Sequence, residues 1–381
     1  MPKIVIIPDS FKGTLSSAQV CDTAAEGIRS VIPRAQIRTI PVADGGEGTV
    51  DAFLAAVGGR RVTLPCRGPF GETVEGFYGV LPDGTAVVEM AAAAGLPLAA
   101  AHPDPCRTTT YGVGELMAHA LSHGAKKLIL ALGGSATNDG GCGAAAALGV
   151  RFLDEAGAEF VPTGGTLGRI ARISLDRRSS ALEAAALQVM CDIDNPLSGP
   201  TGASAVFGPQ KGADDAAVAL LDENLRHLAR VMARDLGQDV LELPGGGAAG
   251  GFGAGAVALL GGRLQMGIDT LLDAVDFDTL AADADLIVTG EGNLDRQSLR
   301  GKVVIGVARR ARRLGVPVAA LVGGSDTDIA RAYEAGVSGV FPIHPRCGTL
   351  AALLPESREH LLFTAKNLAH FFLALRGPFP D

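Results

Sequence analysis

Short apolar runs that stop at a loop of glycine and carboxylate, each followed by a helical pattern, occur at both ends of this chain. Residues 3–7 (Lys-Ile-Val-Ile-Ile) end at Pro8-Asp9-Ser10, and Ser16-Ser17 then cap a helix with apolar positions at Val20, Ala24, Ile28 and Val31. Ile37 to Val42, the loop Ala43 to Gly48 and a helix through Val50, Phe53, Leu54 and Val57 repeat that order. From Asp285 the rhythm returns, with strands expected at 286–289, 316–322 and 337–341 between helices at 302–314, 326–335 and 356–375. Unbroken apolar strands joined by helices must be covered on both faces, which calls for a parallel sheet between helical layers. The expectation is α/β: a doubly wound parallel sheet built from both ends of the chain, residues 1–65 and 283–381, with a second α/β domain, 66–282, inserted.

The middle stretch has its own pattern. A hairpin is expected from Val74 to Val80 and Ala86 to Met90 around Pro82-Asp83-Gly84-Thr85, with strands at Leu128 to Leu132 and Ala186 to Cys191. Helices are expected at 111–123, from about Asp139, and at 214–236. A chain of 381 residues with 47% apolar content can fill two such cores, and crossing twice between them would form a cleft. Lys and Arg total 33 against 41 Asp and Glu, a net charge of −8, which argues against nucleic acid or an anionic membrane as partner. The six cysteines form no C-x-x-C pair and follow no secretory signal, so reduced thiols in a cytoplasmic protein are expected. Leu243 to Gly262 is long and uncharged, yet its glycines and Pro244 make it a loop entering a helix. His119 and His123 lack the glutamate of a zinc-binding H-E-x-x-H and are expected on a solvated helix face.

In a doubly wound sheet, ligands bind where strands give way to loops. Five such loops carry carboxylates, all but 191–196 together with glycine: 8–13, 43–48, 133–141, 191–196 and 289–295. Asp, Asn, Ser and Gly are ordinary turn residues, so any one loop could be mere geometry; five carboxylate-bearing loops at strand ends point to a ligand. The loop Gly133-Gly134-Ser135-Ala136-Thr137-Asn138-Asp139 follows an apolar strand and enters a helix, an arrangement that offers N–H and hydroxyl donors to an anion. A second track, Gly245 to Gly253, could admit phosphates against bare backbone, and no Walker A loop is present. Lys12, Lys211 and Lys302 each adjoin a glycine, and a compact ammonium suits a phosphate oxygen. Asp192 and Asp194 end a strand and could share a magnesium ion, or one could act as a base.

The motifs Pro8-Asp9-Ser10-Phe11-Lys12-Gly13, Ala43-Asp44-Gly45-Gly46-Glu47-Gly48, Gly133 to Gly141, Cys191-Asp192-Ile193-Asp194-Asn195-Pro196, Gly202 to Gly212 and Thr289-Gly290-Glu291-Gly292 with Asp295 and Gly301-Lys302 resemble those of the two-domain bacterial glycerate kinases, in order and spacing. The chain departs from the usual pattern at Gln297-Ser298 and Val304, where Ser keeps the hydroxyl of the more common Thr. The resemblance implies a flavodoxin-like domain beside a second α/β domain. It also implies Mg²⁺-dependent transfer from ATP to D-glycerate, at the 2-hydroxyl, in the interdomain cleft, by an enzyme that could be oligomeric. Because phosphoryl transfer is mainly positioning and charge neutralisation, roles follow on that reading. Asp192 is base or magnesium ligand, with Asp194 supporting it, and Lys12 and Lys211 neutralise the transferring phosphate. Gly133, Gly134, Ser135, Thr137 and Asn138, with Gly246, Gly247 and Gly250, hold nucleotide phosphates. Asp9, Ser10, Asp44, Glu47, Glu291, Asp295 and Lys302 bind glycerate, the acidic ones at its hydroxyls or at water on the magnesium, and Lys12, Arg296 or Lys302 meets its carboxylate. A kinase for another small hydroxy acid would keep the same ATP loops, and a metabolite sensor would bind without turnover.

Overall fold

A computed structural model describes the chain except residues 12, 44, 296, 297, 299, 300, 327, 328 and 377–381, and the side chains of Leu350 and Arg376. Its contacts divide into two compact units, Met1–Asp44 with Ala55–Val57 and Ile268–Asp381, and Gly45–Leu54 with Gly58–Gly267.

The first unit is built on a five-stranded sheet in the order Gly339–Pro342, Val318–Ser325, Leu286–Leu294, Lys3–Ile6 and Gln36–Thr39, all parallel. The two ends of the chain meet where Ile4 pairs with Leu286 and Ile6 with Val288. From Lys3–Ile6 the chain winds outward one way, and from Leu286–Leu294 it winds the other, so the switch point lies between them. Ile4 and Ile6 pack with Val20, Ala24 and Ile28 of the helix Ser17–Val31 and with Leu361, Ala365 and Leu368 of the helix Ser357–Arg376. Val5 and Ile7 are equally buried, which explains the continuous apolar run. Gly27 lets the two helices close up, since a Cβ there would lie 2.8 Å from Ala365 Cβ. Ser16 caps the first helix with a reciprocal bond from Gln19. The next hydroxyl, Ser17 Oγ, donates to Pro8 O and accepts from Val42 N–H, tying the loops after the first two strands together.

One expectation changes here. Residues 289–294 were expected as loop, and they are strand: Leu286–Leu294 stays paired to Val318–Ser325 as far as Leu294 and Ser325. Glu291 is therefore held on sheet backbone opposite Val322.

The second unit has a six-stranded mixed sheet ordered Arg263–Gln265, Ala186–Met190, Lys127–Ala131, Ala86–Glu89, Thr73–Val80, Arg60–Arg67. The first four are parallel and the last two antiparallel. The expected hairpin is present as Thr73–Val80 and Ala86–Glu89. The strand Arg60–Arg67, which a boundary at 65 would cut, pairs along its length with Thr73–Val80, and it tolerates Pro65 because it is an edge strand. Strands of two and three residues, Glu159–Phe160, Arg151–Leu153 and Arg172–Ser174, form a small separate sheet. Val88, Leu130 and Val189 form one core with Leu116 and Met117 of the helix Tyr111–Ser122, Leu225 and Leu228 of the helix Asp215–Leu236, and Phe252. His119 is not simply solvated: its Nδ1 meets the hydroxyl of buried Tyr78 at 2.9 Å. All six cysteines are free thiols, and burial pushes those of Cys66 and Cys191 up to about 11. No described helix is long and apolar enough to cross a membrane.

Candidate active site

Each unit gathers a set of the singled-out residues at the carboxyl ends of its strands. In the first unit the switch point opens into a cavity of about 500 Å³ lined by Asp9, Ser10, Glu291, Asp295, Ser298 and Lys302 among others. The crevice is where this topology places ligands. Asp9 follows the strand Lys3–Ile6, and its N–H donates to Gly290 O at 2.8 Å, fixing its loop to the next strand. Its carboxylate accepts the Ser10 N–H at 2.6 Å. Lys302 stands at the start of the helix Val303–Leu314, where backbone N–H groups and the positive helix end favour an anion.

Glu291 is the most constrained group in the cavity. Its Oε2 accepts the Ser298 hydroxyl at 2.8 Å, while Oε1 is buried without a hydrogen-bond partner. The Ser298 N–H in turn donates to Asp295 Oδ1, so the serine is oriented by the aspartate. Burial pushes the Glu291 carboxyl up to about 7, the Ser298 hydrogen bond opposes that, and the like charge of Asp9 adds to it. Lys12, Asp44 and Arg296 lie outside the described residues.

In the second unit the site is the loop after the strand Lys127–Ala131. Gly133 N–H donates to Gly45 O, and a Cβ at Gly133 would fall 2.6 Å from Gly46 Cα, so the two glycine loops close on one another only because both lack side chains. Exposed Glu47 lies beside Gly134 on this loop pair. Lys211, only 3% exposed, donates from Nζ to Ser135 Oγ at 2.8 Å and to Thr137 O at 2.7 Å. Burial pulls its ammonium down to about 7, with Asp139 opposing. Asp139 is fully enclosed, and its carboxylate accepts the Thr110 N–H and hydroxyl and the N–H groups of Gly141 and Gly143. Burial nonetheless raises its pKa. Two more polar atoms of this loop, Thr137 Oγ1 and Asn138 Oδ1, are buried without partners, although Asn138 Nδ2 reaches Ser204 Oγ.

The glycine track 245–253 has a different use. Gly246, Gly247 and Gly250 are all buried, and a Cβ would meet Leu243 O at 2.9 Å, Pro196 O at 2.3 Å and Thr137 O at 2.1 Å respectively. At these three positions the bare Cα packs against protein backbone. Asp192 lies two residues beyond the strand Ala186–Met190, half-buried, and its Oδ1 accepts the Gly267 N–H at 2.6 Å; Asp194 is exposed. Among the described residues no three His, Cys, Asp or Glu side chains are grouped as a metal site.

Ser298, Asp139 and His344 were not singled out as site residues. Asp139 lies inside the run Gly133 to Gly141 and Ser298 at a departure from the common Thr, so both carry a sequence signal. His344, in a loop without a motif, carried none.

Comparison with known proteins covers nearly all of this architecture. A sequence model described as the glycerate kinase family matches residues 4–373. The chain is 45% identical to the glycerate kinase of Bacillus subtilis (strain 168) over 369 residues, 96% of this chain and 97% of that one. It is 42% identical to the glycerate 2-kinase of Escherichia coli (strain K12), with the same coverage of both. A crystal structure of a protein assigned as glycerate kinase 2 from Salmonella typhimurium LT2 superposes with a TM-score of 0.85 at 44% identity, covering 98% of this chain and 99% of that one. With full-length likeness in both sequence and fold, this chain belongs to the glycerate kinase family and is a kinase.

Proposed function

We propose that the chain transfers the γ-phosphoryl group of ATP to D-glycerate at the 2-hydroxyl, giving 2-phosphoglycerate. The observation that carries this reading is the first unit's cavity: carboxylate oxygens of Asp9, Glu291 and Asp295 that can accept from hydroxyls, beside Lys302 at a helix start that suits a carboxylate. Its volume of about 500 Å³ is large enough for a three-carbon acid. The position on glycerate is taken from the name of the Escherichia coli relative.

The nucleotide phosphates are assigned to the half-exposed Gly133 and Gly134 with Ser135, Thr137 and Asn138, with Lys211 beneath them as the cation. The buried, unpartnered Thr137 hydroxyl supports a phosphate there, since it can donate and such atoms are rarely left unsatisfied. The phosphate charge would draw the Lys211 ammonium back to its protonated form.

Magnesium suits Asp192 and Asp194, whose hard oxygens are of the class it takes. It binds through one or two carboxylates plus substrate phosphates, so a site of three protein ligands is not required. Bound there, it would neutralise phosphate charge.

The test is ³¹P NMR of the product formed from D-glycerate, ATP and Mg²⁺. A 2-phosphoglycerate signal is expected; a 3-phosphoglycerate signal would overturn the position, and no transfer with ATP binding intact would overturn the acceptor. Asp192→Asn should lower kcat on the order of 10²-fold or more, and a fall under about threefold would remove Asp192 from the reaction.

A further inference from the structure

We infer that Glu291 is the general base, accepting the proton of the acceptor hydroxyl on Oε1. This rests on the proposed kinase reaction and assigns one of its steps. Four observations converge on it. Glu291 lies on sheet backbone rather than in a loop, which fixes its position. It lines the cavity at the sheet's switch point. Ser298 binds one carboxylate oxygen and leaves the other buried and unpartnered, so a proton acceptor is presented where water is scarce. Ser298 itself is held by Asp295, so the carboxylate is oriented by a relay of hydrogen bonds, the geometry expected of a positioned base.

In the step, the acceptor oxygen bonds to the γ-phosphorus as the bond from that phosphorus to the β,γ-bridging oxygen breaks. ADP leaves with the electron pair, and the hydroxyl proton passes to Glu291 Oε1, which later releases it to solvent. The described titratable groups lining the same cavity are Asp9 from the loop after the first strand, Asp295 at the end of Glu291's own strand, Lys302 at a helix start and His344 beyond the strand Gly339–Pro342. Burial and Asp9 hold the carboxyl up to about 7, against Ser298 and Lys302. A base so tuned is half ionised near neutral pH, close to the optimum for proton transfer.

The experiment measures ADP release by the full chain with D-glycerate at saturating Mg-ATP, from about pH 5.5 to 8.5. Wild-type kcat should fall about tenfold per pH unit below pH 7. Glu291→Gln should lower kcat at least about 10²-fold and abolish that limb, while a titration belonging to ATP itself would persist. Ser298→Ala, which removes a hydrogen bond to the ionised form, should displace the limb to higher pH. Glu291→Gln retaining more than a tenth of kcat, or a Ser298→Ala profile superposing on wild type, would overturn the inference. Should Glu291→Gln not fold, the Ser298→Ala profile decides alone. A wild type that leaves D-glycerate unphosphorylated overturns the underlying reading as well, whereas an active wild type with an active Glu291→Gln overturns the base alone.

Discussion

Glu291 keeps one carboxylate oxygen on Ser298 and leaves the other buried, so ionising it works against the fold. Its folded pKa of about 7 lies above the ordinary 4.5. The stabilisation tied to its protonated form is therefore complete below about pH 4.5 and is lost as pH rises through about 7. Glu291→Gln removes that dependence. Thermal melts should show the variant more stable than wild type at pH 8, by on the order of 1–3 kcal/mol, with the gap closing toward pH 4.5. Lys211 is the opposite case, a cation whose burial favours the neutral amine. It fastens Ser135 to the Thr137 carbonyl beneath the glycine loop. Lys211→Met should cut kcat/KM for ATP on the order of 10²-fold or more in initial-rate measurements, and a KM for ATP unchanged within twofold would detach the lysine from the nucleotide.

Elements that pack through bare backbone account for much of the glycine in this chain. In the helix Ala248–Ala258 the backbone leaves helical geometry at Ala249, Gly250 and Gly251, and Gly250 there sits at φ +64° against Thr137. Gly250→Ala would set a methyl 2.1 Å from the Thr137 carbonyl in a conformation alanine resists. A loss of about 2–4 kcal/mol is expected by chemical denaturation, together with a raised KM for ATP, because the strained carbonyl is the one Lys211 holds. Elements of this kind separate what sequence could reveal from what it could not. Ile4 to Ile6 and Leu286 to Val288 are buried on both faces, so these short apolar runs announce parallel strands, whereas the strand's continuation through Thr289, Gly290 and Glu291 carries no such mark. Arg60–Arg67 alternates only over Val62, Leu64 and Cys66 and carries Pro65, which argues against a strand, and Glu159–Phe160 is two residues long, too short for any period to show. The strand-end loops were legible from their glycines and carboxylates, and the resemblance made their chemistry legible too. Which glycines face ligand and which face backbone was not, since that depends on what arrives from distant parts of the chain, as Pro196 does at Gly247. Burial of Lys211 and Glu291 was hidden for the same reason.

At the scale of the whole molecule, the second unit is nearly one continuous stretch with its own core, whereas the first needs both ends of the chain. We therefore expect residues 45–267, expressed alone, to melt cooperatively with native-like far-UV circular dichroism; a fragment without a cooperative transition would refute that independence. The same connectivity has a consequence in time. The strand Lys3–Ile6 leaves the ribosome well before its neighbour on one side, Leu286–Leu294. At about 5–20 residues per second, roughly 15 s to a minute of synthesis separates the two. Throughout that interval Ile4 and Ile6 can pair only toward Gln36–Thr39, with one apolar sheet edge open, while the continuous unit is already able to close. Completion of the first unit is thus paced by translation, and slow codons ahead of residue 286 would lengthen the exposure of an edge that evolution of the mature surface cannot protect.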